Sequence, residues 1–258
     1  SNVSLGGDGG DESFFGYITF DAFKLAKLIK SILPNFILSI IRKLFSSEDY
    51  SKNYMTTKKK LSKFFSSLHL DLKYLLPAWL SCLNLEEHSE NLKKPLSVKE
   101  LFLTKNIFDE NDDSLRLAQL YHFRYYLPMV LSKVDQASML NSVESRSPFI
   151  SKKIINFTLD QDIKNLYSLF NKKKFLKKIY KSSISSKILK APKHGFAFPT
   201  HVILKNKKLI NKLIKPELVN NYSFFQRKYE SYLNDNKDNS QYLWNELILN
   251  LSIQNLKS

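Results

Sequence analysis

Apolar residues recur along this chain at helical rather than strand spacing. Ile32, Leu33, Phe36, Ile37, Ile40, Ile41, Leu44 and Phe45 fall at i, i+1, i+4, i+5, the stripe of an amphipathic helix, with Pro34 in its first turn. A core-facing helix is expected there rather than one lying on a membrane surface. Residues 57–80 read as one or two helices broken by Pro77, and the polar stretch 86–95 reads as a loop. Ser97 followed by Glu100 is a capping box opening the next helix. Helical runs follow over 113–127 and 128–142 around Pro128, then over 152–160, 171–190, 200–213, 222–234 and 240–256. Val143–Phe149 has no helical period and reads as an ordered loop. Val3–Leu5 reads as a strand end entering a glycine-rich loop, with Asp11 and Glu12 where a helix would start. A lone strand cannot satisfy its own hydrogen bonds, so Val3–Leu5 is expected to pair with strands outside this chain. The expected fold is therefore predominantly α-helical with a residual strand near the N-terminus.

Composition narrows the class. The 258 residues allow one large domain or two small ones, and 43% hydrophobic with 25% charged residues is ordinary globular usage. The one cysteine, Cys82, reads as part of a helical run and excludes an internal disulfide scaffold. No signal-peptide order and no apolar run of membrane-spanning length is visible, so a reducing, cytoplasmic setting without membrane partners is expected. The net charge is +16, and residues 152–215 carry 17 lysines against two acids. A polyanionic partner would suit that block. Yet 35 of the 40 basic residues are lysine, which suits solvated helix faces better than the bidentate arginine contacts of phosphate-backbone binders. Lys58-Lys59-Lys60 and Lys172-Lys173-Lys174 read as such faces.

Glycine is scarce and clustered. Five of six, Gly6, Gly7, Gly9, Gly10 and Gly16, lie in the first 16 residues, and the sixth is Gly195. A chain that otherwise avoids glycine keeps it where the backbone needs positive φ or close approach, so both places are candidates for chemistry. Leu5-Gly6-Gly7-Asp8-Gly9-Gly10-Asp11-Glu12 follows a strand and opens a helix, a geometry that aims backbone N–H groups at an anion. Three acids beside it suit Mg²⁺ coordination or proton abstraction from an amine; a tight turn with acids on the helix dipole is the plainer alternative. Asp135-Gln136-Ala137-Ser138-Met139, then Glu144-Ser145-Arg146-Ser147-Pro148-Phe149, offers a carboxylate and a guanidinium that form either a site pair or a structural ion pair. Pro192-Lys193-His194-Gly195-Phe196 brackets a lysine in a stiff turn, suited to developing phosphate charge or merely one more surface lysine.

In order, D-G-G-D-E, K-V-D-x-x-S-M, E-x-R-x-P-F and P-K-x-G-F resemble the synthetase domain of glutamine-hydrolysing asparagine synthetases, from residue 3 to about residue 200. The resemblance implies an α/β ATP-pyrophosphatase fold, of the adenine-nucleotide α-hydrolase, Rossmann-like kind. It implies ATP and Mg²⁺ as cofactors, with aspartate and glutamine-derived ammonia as substrates. Aspartate is activated as an acyl-adenylate with release of pyrophosphate, and ammonia attacks the adenylate. It assigns Asp8, Glu144 and Lys193 to catalysis, and Gly6, Gly7, Asp11 and Lys193 to ATP and pyrophosphate. Asp11 is assigned to the metal, and Asp135 and Arg146 to support of the acyl-adenylate pocket.

The chain departs from that pattern at Gly6 for serine, Ser13 and Phe15 for leucine and glycine, Gln136 for arginine, and Ser151 for aspartate. It contains neither the nucleophilic cysteine that leads the family's glutaminase domain nor an S-G-G-x-D-S pyrophosphate loop. Residues 1–258 are thus expected to be the C-terminal part of one synthetase domain, inactive alone and partnered by the missing N-terminal part, with homodimerisation open. Two alternatives stand beside it. One is a related acyl-adenylate enzyme closing β-lactam or lasso-peptide rings or amidating surface polysaccharide; the other is a non-catalytic lysine-rich helical binding module.

Overall fold

The computed structural model describes residues 2–45, 57–101, 114–191, 198–235 and 237–257. These are mostly helical, and the chain divides into two compact units. One comprises 1–33 and 104–193, the other 34–103 and 194–258.

The first unit carries a two-stranded parallel sheet, a fragment of an α/β arrangement within a helical chain. Strand β1, Val3–Leu5, pairs with β2, Glu144–Arg146, in the register Val3 to Glu144 and Leu5 to Arg146. This corrects two expectations. The partner of Val3–Leu5 lies within the chain, and Val143–Phe149 contains a strand. Three residues are too few for alternation to register as a signal, and parallel partners are distant in sequence. Glu144 N donates to Asn2 O and Gly6 N to Arg146 O, both at 2.8 Å, which extends the ladder past each end of β1.

Helix Ile18–Ile32 packs on Ser114–Tyr121, which continues through one π-helical turn, His122–Tyr126, into Leu127–Met139. Pro128 directly follows the π turn inside this continuous run, where the local widening accommodates a residue without an N–H donor. The buried side chains of this unit include Phe14, Phe15, Phe20, Phe23, Leu166 and Tyr167, with polar Glu12, Asp21, Gln119 and His122 among them. Arg116 caps the end of helix Lys152–Asp160 by donating to Thr158 O and Gln161 O.

The second unit is helical and is built on helices Tyr222–Leu233 and Ser240–Lys257. Phe224, Phe225, Tyr229, Tyr232, Tyr242, Leu243 and Leu247 form its core with Leu204 and Ile210. Lys59 and Asp238 form a 2.7 Å ion pair with 11% and 5% of their side chains exposed, so Lys59 does not lie on a solvated face. Burial of Asp238 works against its charge, but hydrogen bonds from Lys59 and Ser240 prevail and hold its pKa below the ordinary value.

Other boundaries moved. The chain is extended at Leu33, φ −99° and ψ 131°, because a residue before proline avoids the α region; the predicted stripe is therefore cut into helices Ile18–Ile32 and Asn35–Leu44. The second turns Phe36, Ile40 and Leu44 outward, more than half exposed, and buries only Leu38, so the core-facing expectation fails there. Pro77 lies inside an unbroken helix, Leu72–Leu80, and the break from Thr57–Ser67 falls before it. The polar stretch 86–95 is largely helical, Leu85–Asn91, opened by an Asn84–Glu87 capping box. Cys82 lies between helices, and its thiol is pushed up by burial. The Ser97–Glu100 box forms as expected, with Glu100 N donating to Ser97 Oγ at 3.2 Å. Run 171–190 is divided into Lys174–Ile179, a 3₁₀ turn and Ser186–Lys190.

Candidate functional site

The glycine-rich loop folds against the second motif. Gly9 has φ +84°, a left-handed conformation that L-residues rarely adopt, and caps the four-residue helix Gly10–Ser13. A Cβ on Gly9 would stand 2.4 Å from Ile150 Cγ2, and one on Gly10 3.2 Å from the Phe149 ring. The close approach these glycines permit is therefore to Pro148-Phe149-Ile150. The Phe149 ring in turn meets Phe14 edge-on at 5.9 Å.

This contact, with the β1–β2 pairing, brings Gly6, Gly7 and Asp8 beside Glu144–Ser147. Ser147 Oγ donates to Asp8 Oδ2 at 3.5 Å, at the outer limit of a hydrogen bond. A Cβ at Gly6 would lie 3.2 Å from both Asp8 Oδ2 and Ser147 Oγ. Glu144 and Arg146, two apart on β2, project to one face and close a bidentate pair: Nε to Oε1 at 2.8 Å and the second nitrogen to Oε2 at 3.0 Å. Both are more than half exposed, and the arginine holds the Glu144 carboxyl below its ordinary pKa. Glu144 is thus an ionised carboxylate that can accept, not deliver, a proton near neutrality.

The three acids of the loop part ways. Asp8 faces Ser147. Asp11 faces Lys173, with Nζ to Oδ1 at 2.8 Å. Glu12 is buried, and Tyr17 donates to its Oε1 at 2.7 Å. Burial raises the Glu12 pKa, only partly offset by the Tyr17 hydrogen bond. Gln119 Nε2 donates to Glu12 O and Ser13 O at 3.1 Å each, satisfying carbonyls at the end of that short helix. The His122 ring lies 4.9 Å from Tyr17, its Nε2 is 3.1 Å from Thr19 Oγ1, and burial pushes its pKa down to about 4.

Asp135 is exposed on helix Leu127–Met139, where Ser138 Oγ donates to its backbone carbonyl. The expected lysine, Lys193, and its neighbours Pro192 and His194–Phe196 lie outside the described residues. Nothing in the sequence singles out Lys173, Tyr17, Gln119 or His122; Gly16 alone is a usable clue, because the Asp11–Lys173 pair passes over it.

The order and convergence of these motifs agree with a family comparison. The sequence matches the profile described as asparagine synthase over residues 1–255. The chain belongs to the asparagine synthase family. No curated protein and no solved structure matches the chain significantly. Membership makes this a chain of an ATP-dependent, amide-forming ligase family involved in asparagine biosynthesis. No helix among the described residues is long and apolar enough to cross a membrane.

The donor chemistry can be weighed for Mg²⁺. A magnesium ion escorted by polyphosphate takes one or two protein carboxylates, with phosphate oxygens and waters filling its octahedron. Asp8 and Asp11 can supply those. No group of three or more His, Cys, Asp or Glu residues able to hold a metal occurs among the described residues. The set therefore fits a phosphate-escorted ion rather than an all-protein cage.

Proposed function

We propose that this chain contributes part of an adenylate-forming amide synthetase site, using ATP with Mg²⁺. A substrate carboxylate oxygen bonds to the α-phosphorus of ATP as pyrophosphate leaves. An amine then attacks the acyl carbon and AMP leaves with the acyl C–O bond electrons. Aspartate as the acid and glutamine-derived ammonia as the amine follow the family's usual chemistry. The observation that carries the reading is the convergence of Gly6–Asp8 with Ser145–Ser147 across a parallel strand pair, more than 130 residues apart in sequence. Magnesium, when bound, would supply charge neutralisation to the phosphates, and Asp11, which the structure pairs with Lys173, would be its protein carboxylate. Asp8 takes up the proton lost by the attacking amine, and the Glu144–Arg146 pair shapes the acyl pocket. Lys193, in its Pro–Gly bracket, is assigned to the phosphates.

The chain alone is proposed not to turn over, since its sequence holds no S-G-G-x-D-S loop and a pyrophosphate site built from one loop lacks its opposite wall. The exposure of β1 along its length, with Leu5 76% exposed, supports a further layer contributed by the N-terminal part of such an enzyme. A cytoplasmic location and independence from nucleic acid belong to the same proposal. The test is pyrophosphate release from ATP, Mg²⁺, aspartate and ammonia. Release is expected when the chain is combined with a synthetase segment carrying the S-G-G-x-D-S loop, and not from the chain alone. Release by the chain alone overturns its proposed inactivity, and none from the combination overturns the assignment to this site.

A further inference from the structure

We infer that Lys173 is a positioning residue for Asp11, fixing the orientation in which that carboxylate meets an incoming polyphosphate. The inference rests on the proposed function only in naming the ligand; the arrangement stands on geometry.

The ammonium lies 2.8 Å from Asp11 Oδ1, with the carboxylate 19% exposed and the lysine side chain 37%. The pair joins residues 162 apart in sequence, so Lys173 does not lie on the solvated face that its lysine run predicts. Its backbone is committed to this task. Lys173 sits at φ 53° and ψ 34°, left-handed, at the N-cap of helix Lys174–Ile179. That conformation is disfavoured for a lysine and persists only where the surroundings enforce it. The surroundings do so from two sides. Lys173 N donates to Phe14 O at 3.1 Å, inside the same motif that carries Asp11. Upstream, buried Asp21 Oδ1 accepts from Tyr167 Oη at 2.5 Å and from Phe170 N at 3.1 Å, pinning the turn that leads into Lys173. The Phe14 and Phe175 rings stack at 6.0 Å and hold the following helix against the motif.

Gly16 completes the device. Its N–H donates to Asp11 O at 2.8 Å, and a Cβ there would stand 1.8 Å from Asp11 Oδ1 and 2.5 Å from Lys173 Cε. Only glycine lets the pair close. Three acids within five residues repel an anion at the loop; Lys173 offsets one of those charges and sets its direction before the ligand arrives, which is preorganisation.

Asparagine is favoured in the left-handed region, so Lys173→Asn removes the ammonium while keeping the backbone. Two measurements decide the matter: a crystal structure of the Lys173→Asn chain, and equilibrium dialysis of radiolabelled pyrophosphate with Mg²⁺ against the chain combined with a synthetase segment carrying the S-G-G-x-D-S loop. The expected results are a rotated Asp11 side chain and about tenfold weaker retention, from the loss of one ion-pair partner. Lys173→Arg is expected to stay within about threefold of the wild-type chain because it keeps the charge. On an Asp11→Asn background, Lys173→Asn is expected to have no further effect. Unchanged retention by Lys173→Asn, or an Asp11 side chain left in place in its structure, overturns the inference. If the wild-type combination retains no pyrophosphate, the proposed ligand falls, and the Asp11 orientation alone decides the role of Lys173.

Discussion

Gly9→Ala tests the docking of the first motif on the second. Two costs meet at this position. Alanine at φ +84° pays about 1–2 kcal/mol for the left-handed backbone. Its methyl group would also stand 2.4 Å from Ile150 Cγ2, well inside contact distance, and such overpacking costs about 1–3 kcal/mol as the neighbours shift. The sum is about 2–5 kcal/mol, enough to consume much of a small protein's stability. Urea unfolding of the chain, followed by circular dichroism, reads it directly. Gly7→Ala is the control: nothing lies within 4 Å of its Cβ, so a change below about 0.5 kcal/mol is expected. Ile150→Ala combined with Gly9→Ala separates the two costs, since removing Cγ2 relieves the clash but not the φ penalty. The double variant is thus expected to lose less than the sum of the singles. If Gly9→Ala unfolds within 0.5 kcal/mol of the wild-type chain, or the double variant is strictly additive, the two motifs are not docked through this glycine.

Four further outcomes follow from the same structure. His122, with its folded pKa lowered to about 4 from 6.5, binds fewer protons folded than unfolded. It therefore contributes stability above the unfolded value that is lost as pH falls through 4; His122→Gln should remove about 3 kcal/mol of that acid loss, measured as the difference in urea stability between pH 7 and pH 4. Glu12 acts in the opposite sense: its raised folded pKa favours the folded state below the unfolded value and weakens it as pH rises through the folded one, so Glu12→Gln should flatten that decline in the same titration, and an unchanged slope would count against a buried Glu12. Lys59→Met leaves Asp238 buried without its cation and should cost about 3–5 kcal/mol, whereas Arg42→Met, at an exposed pair with Glu86, should cost under about 1 kcal/mol; equal effects by thermal unfolding would contradict the burial difference. In the combined enzyme, Asp8→Asn should reduce pyrophosphate-coupled amide formation by about 10²-fold or more while leaving the unfolding temperature unchanged, as expected for a group that moves a proton.

The sequence by itself determined the family and the helical character. Motif order is a one-dimensional property, and amphipathic spacing repeats over enough residues to register, as in Lys152–Asp160 and Tyr222–Leu233. The Ser97–Glu100 box was equally legible because its partners lie three residues apart. The glycine cluster correctly marked an unusual backbone, but not what approaches it: Phe149 and Ile150 arrive from 140 residues away. Only the tertiary structure decided the strand pairing of β1 with β2, because a three-residue parallel strand has no periodic signature and no local partner. Only it separated Lys173 from the lysines around it, or turned Glu12 inward while Asp11 faced a cation. Adjacent residues of like chemistry are indistinguishable in a string; what parts them is which side of a short helix meets the core, and that depends on contacts made by chain far away.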